Sequence, residues 1–159
     1  MMKAEWTPSN VAAVFTAPAI DLGWCGRLES AAGNAILGKV LCVCAAAAVA
    51  RAVLQVTPRV SDQASDALKL LCRWIDDPTI ERFEHLCALI FCDEPPEFDP
   101  HGVLGWALRT ATSSVGNHEA GWALTTACRA ATEAGFTPEQ LRAFVEVEVR
   151  SYYGRTVDQ

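Results

Sequence analysis

Apolar residues fall at helical intervals along most of this chain, and that periodicity predicts its elements before any motif is considered. After Ser61, residues Ala64, Ala67, Leu68, Leu71 and Ile75 recur on one face. Beyond Asp77-Pro78 a second stripe is made of Ile80, Phe83, Cys87, Ile90 and Phe91, with Glu81, Arg82, Glu84 and His85 on the outer side. The run "VLCVCAAAAVA", Val40 to Ala50, is apolar all round and bracketed by Lys39 and Arg51. A bilayer span needs about 20 such residues, so this shorter, alanine-rich run predicts a buried central helix that continues to near Val56. Earlier helices are expected from Pro8 to Thr16 and from about Asp21 to a weak point at Gly33-Asn34. One segment conflicts with the rest: "FVEVEVRSYY", Phe144 to Tyr153, alternates as a strand would. A lone strand would lack a partner, so a helix is expected there, with Gly154 as its stop.

Capping signals agree with the periodicity. Thr7-Pro8, Asp77-Pro78, Asp99-Pro100 and Thr137-Pro138 each place a side-chain acceptor before a proline. The acceptor satisfies an orphan amide, and proline at the first helical position has no amide to leave unsatisfied. Gln140 would complete a capping box with Thr137. Consecutive prolines in "CDEPPEFDP", Cys92 to Pro100, cannot continue a helix and mark a connection. The expected fold is all-α, a compact bundle of six to eight helices in a single domain over residues 1–159, with residues 1–20 the part most loosely attached.

The heptapeptides GWALRTA, from Gly105, and GWALTTA, from Gly121, are nearly identical. "SSVGN", Ser113 to Asn117, separates them with turn-forming residues, which predicts an antiparallel helical hairpin near residues 100–134. Glycine inside a helix costs about 1 kcal/mol relative to alanine, so Gly105 and Gly121 are expected at close backbone approaches, with Trp106 and Trp122 filling the adjoining space. The repetition reads as packing.

Composition narrows the function. At 159 residues with 51% apolar and 20% charged side chains, the chain suits a packed core and argues against disorder. The net charge of −6 and the lack of a basic stripe among aromatics disfavour nucleic acid as a partner. Seven cysteines, an odd number set mostly in apolar runs, point to free thiols in a reducing cytoplasm, and the first residues carry no apolar leader. No CxxC pair occurs, and His85, His101 and His118 lack metal-ligand spacing, so neither a metal nor another cofactor is expected. Cysteine catalysis is disfavoured because Cys42, Cys44, Cys72, Cys87 and Cys128 fall on apolar faces, leaving Cys25 and Cys92 near element ends. Phosphate-binding glycine motifs are missing, and the carboxylate pairs Asp76-Asp77 and Glu146 with Glu148 read as solvated faces.

The remaining candidate is a partner-binding cluster. Asp93, Glu94, Glu97 and Asp99 surround Phe98, with His101 following, while Asn117, His118 and Glu119 join the next helix pair. An aromatic amid carboxylates has the makeup of an interface anchor with an acidic rim. The equal alternative is a solvated loop whose phenylalanine tucks into the core.

From about Cys42 to Gly135 the chain resembles a loose group of bacterial all-helical proteins of unknown or immunity-type function. The resemblance rests on "CVCAAAAVARAV", "ALKLLCRWIDDPTIE" and "GWALTTACRAATEAG", including the capping segment Trp74 to Glu81. It implies a toxin-neutralising or accessory role and identifies no functional residues. Residues and resemblance together predict a non-enzymatic cytoplasmic protein that occludes a basic toxin or effector surface. The alternatives are an adaptor of a larger bacterial assembly, displaying Trp6, Trp24 or Trp74, and a small helical enzyme built around His101, His118 and Asp99.

Overall fold

Asn34 sets the start of the helix on which the others are built. Its side chain accepts from the Leu37 amide at 2.8 Å, and α3 (Ala35–Val56) runs from there for 22 residues. Thr57 ends it in extended backbone, as the residue before a proline prefers. The computed structural model describes residues 7–16, 18–94 and 96–157. Around α3 stand α1 (Ser9–Val14), α2 (Gly23–Ala31), α4 (Asp62–Asp76), α5 (Ile80–Ile90), α6 (Val103–Thr112), α7 (Glu119–Glu133) and α8 (Pro138–Val157). Among the described residues there is no strand, and the Phe144 to Tyr153 segment is helical.

α3 packs against α2, α4, α6, α7 and α8. Every residue from Gly38 to Ala50 is buried, because neighbours cover the helix on all sides. By length and composition α3 alone among the described residues could cross a membrane, yet 83% of its apolar window lies inside the protein. Small side chains at Ala45, Ala46 and Ala47 let the surrounding helices approach. Gly38 marks the closest approach: a Cβ there would lie 2.7 Å from the Glu29 carbonyl oxygen of α2.

Only one of the four proline-marked starts is used as the sequence predicts. At α8 the box is complete, with Thr137 Oγ1 accepting from the Gln140 amide at 3.1 Å and Gln140 Oε1 accepting from the Thr137 amide at 2.9 Å. Asp77 instead terminates α4, and Thr79 caps α5 by accepting from the Arg82 amide. Arg82 then ties this corner, donating to the carbonyls of Arg73 at 2.7 Å and Asp77 at 3.0 Å. The N-cap position of α1 is Pro8, without a side-chain cap. At α6 the carboxylate of Asp99 does cap, but from further upstream, because Gly102 adopts φ +75° and delays the helix to Val103.

The face of α4 matches its pattern, with Ala64, Ala67, Leu71 and Ile75 buried. The α5 stripe is rotated. Leu86 and Ile90 are buried, whereas Ile80 and Phe91 are exposed. The two heptapeptides lie on α6 and α7, which form a hairpin, and their tryptophan rings meet edge to face at 5.2 Å. Gly121 sits against the Glu29 carboxylate as a close approach, but a Cβ at Gly105 would meet nothing within 4 Å. The α1 residues Val11 and Val14, with Phe15, join the same core; residues 1–6 lie outside the described residues.

Candidate protein-binding surface

The nine residues singled out in the sequence divide between the two ends of α6. Its ten residues span about 15 Å at the helical rise, separating Asp93–His101 at one end from Asn117–Glu119 at the other. His101 and His118 therefore do not converge on Asp99.

At the first end, Phe98 is buried and belongs to the core, so it is not the exposed anchor. Asp99, 4% exposed, follows it inward. Its Oδ2 accepts from the amides of His101 at 3.2 Å and Val103 at 3.0 Å, and its Oδ1 from that of Leu104 at 3.0 Å. Three N–H groups at the start of α6 are thus satisfied by one carboxylate, which also favours the positive end of the helix dipole. These two anchors hold the base of the connection while Asp93, Glu94, Glu97 and His101 face solvent.

The exposed aromatic at this end is Phe91, at 65%. It follows the last residue of α5, and its amide donates to the Cys87 carbonyl at 2.8 Å. Adjacent helical residues can share a core face, as Trp74 and Ile75 do in α4, so the α5 stripe alone did not separate Ile90 from Phe91. The available signal for assigning Phe91 to the surface was its position at the end of α5, directly before the Cys92 to Pro100 connection. A hollow of about 220 Å³ lies alongside, where Leu89, Ile90, Pro96 and Phe98 face Trp106 and Arg109 across the start of α6. The Arg109 guanidinium stands 5.0 Å over the Trp106 ring, and Trp122, 61% exposed, meets the same indole edge to face. Trp24 and Trp74, named as candidates for exposed apolar surface, are instead buried, and Trp6 lies outside the described residues.

At the opposite end of α6 the polar groups serve the turn. Glu119 accepts from the Ser114 amide at 3.0 Å and the Asn117 side chain at 3.3 Å, and these bonds, the backbone one foremost, hold its carboxyl below the usual range. Lys39 rises from α3 to donate to the Ser113 carbonyl at 2.8 Å, its ammonium near the Trp74 and Phe83 rings. Burial pushes its pKa down, while Cys87 and Glu119 act in the opposite direction. His118, at φ +59°, turns its Nδ1 to within 3.2 Å of Glu29 Oε1, a carboxylate otherwise packed over Gly121. Asn117, His118 and Glu119 remain exposed.

The cysteines and carboxylates are likewise dispersed. Cys25 lies near an element end as expected, the third residue of α2, yet is fully buried, whereas Cys92 is exposed. Asp76 and Asp77 face different arginines, Arg155 at 3.8 Å and Arg82 at 3.7 Å. Glu146 and Glu148 do the same, pairing with Arg150 at 2.9 Å and Arg51 at 3.3 Å. Among the described residues no group of three His, Cys, Asp or Glu side chains could hold a metal ion.

No family model matches the chain, and no curated protein or solved structure matches it either.

Proposed function

We propose that this is a non-enzymatic protein that binds another protein at the α5–α6 end, covering a basic toxin or effector surface in the manner of an immunity protein. One observation carries the reading: Phe91 stands exposed beside Asp93, Glu94 and Glu97, on a connection whose base is fixed by Phe98 and Asp99. A fixed base lowers the entropy lost on docking, an aromatic supplies the buried anchor, and carboxylates steer a basic partner. The adjoining hollow against Trp106 offers a seat for one partner side chain.

Co-expression with the product of a neighbouring toxin-like gene tests this. The double variant Phe91→Ala, Glu97→Lys should lose complex formation and protection while its melting temperature stays at the wild-type value. Undiminished binding by that variant would dismiss the reading. The alternative role as an accessory subunit is favoured by exposed Trp122 and would appear as binding lost on Trp122→Ala but retained in the loop variant.

A further inference from the structure

An apolar groove lies on a different face, between α3 and α4. It encloses about 630 Å³, a volume suited to a small ligand. Leu54 of α3, Val60, and Leu68 and Cys72 of α4 give it apolar walls. From Ser65 to Asp76 the lining side of α4 runs about 16 Å at the helical rise. A smaller hollow continues it towards α8, sharing Arg51, Cys72 and Asp76 and adding Glu148 and Arg155.

Charge in this groove runs against that of the whole chain. Arg51 is matched by Glu148 at 3.3 Å, and Asp76 by Arg155 at 3.8 Å, so those four groups cancel. Arg51 is further directed by Cys72, whose sulfur accepts from Nη2 at 3.4 Å. Lys69 and Arg73 remain on the groove wall, and among the described residues neither has an ion-pair partner. Two uncancelled cations beside apolar walls, on a protein of net charge −6, form a local positive site.

We infer that the α3–α4 groove binds a single-chain amphiphile with an anionic head, its alkyl chain along Leu54, Leu68 and Val60 and its carboxylate at Lys69 and Arg73. Apolar burial supplies the affinity and the two cations select the head group. Binding at this face is independent of docking at the α5–α6 end.

Titration of the isotopically labelled full chain with dodecanoate, below its micellar concentration, tests the site, with dodecyltrimethylammonium as the cationic counterpart. Dodecanoate should bind saturably, shift amides of α4 and the second half of α3, and bind at least tenfold more tightly than the cationic amphiphile. Lys69→Glu with Arg73→Glu should abolish that preference, and the milder Lys69→Gln with Arg73→Gln should weaken dodecanoate binding severalfold with the circular dichroism spectrum unchanged. Equal affinity for the two head groups, shifts mapping elsewhere, or indifference to both double variants would overturn the inference. So would saturable binding of an acidic amphipathic helical peptide in this groove without any binding of dodecanoate.

Discussion

Alanine at Gly38 and alanine at Gly105 should move stability in opposite directions, although both glycines lie inside helices. Each substitution removes backbone freedom from the unfolded chain and improves helix propensity, a gain of about 0.5–1 kcal/mol. At Gly105 nothing lies within 4 Å of the new Cβ, so the gain survives and the melting temperature should rise by about 1–4 °C. At Gly38 the Cβ meets the Glu29 carbonyl oxygen at 2.7 Å and Glu29 Cγ at 3.1 Å, where ordinary contact begins at 3.4 Å. A carbonyl in a helix cannot swing aside like the tip of a side chain, so α2 must retreat as a unit. Overpacking of this kind costs about 1–3 kcal/mol, which outweighs the propensity gain. The net loss should be about 1–2 kcal/mol, or roughly 2–8 °C for a chain of this size. Thermal and urea unfolding followed by circular dichroism measure both variants against wild type. Because the unfolded-state effect is common to the pair, their difference isolates the α2–α3 contact. Gly38→Ala as stable as wild type, or Gly105→Ala less stable, would refute the packing described for α2 and α3.

Asp99→Ala should cost about 2–3 kcal/mol, because a cap is lost and buried amides at the start of α6 lose their acceptor; calorimetry should show a drop of about 4–12 °C, and a change under 1 °C would refute the role given to that carboxylate. Stability should also fall as pH rises above 9.0. Burial raises the Cys42 and Cys44 thiols above that ordinary value, and a hydrogen bond with Cys25 followed by burial raises Cys128. The unfolded chain then releases protons that the folded chain keeps, so each thiol lowers stability by up to about 1.4 kcal/mol per pH unit. Lys39, with its pKa lowered from 10.5, has the opposite sign and offsets part of this slope. Cys44→Ala should make the alkaline decline in urea midpoint shallower, and an unchanged slope would contradict its burial as a thiol.

Secondary structure was legible largely where the signal was local. The Thr137 box and the Ser61 start depend on residues three positions apart and were read from the sequence, whereas the equally local caps at Asn34 and Thr79 were not. The apolar run from Val40 to Ala50 announced the buried helix because only a covered helix tolerates such residues all round. Periodicity was weaker evidence at element ends. Phe91 and Phe98 flank the same connection, and the pattern assigned Phe91 to the core, whereas the structure exposes it and buries Phe98. Phe91 is the C-cap residue of α5 and Phe98 lies in the connection before α6, so the helical period fixes neither.

By itself the sequence determined an all-helical chain, the order of its helices, the hairpin of the twin heptapeptides and the acidic character of the connections. These follow from propensity, capping and charge, which act over a few neighbouring residues. Tertiary structure decided which aromatic meets solvent, that the two acidic turns lie a helix length apart, and that Glu29 fits between Gly38 and Gly121. It alone assembled the cationic groove, whose lining runs from Arg51 to Asp76 and continues to Glu148 and Arg155. Side chains that far apart in the chain become neighbours only when α4 and α8 pack on α3, and no local spacing records that meeting.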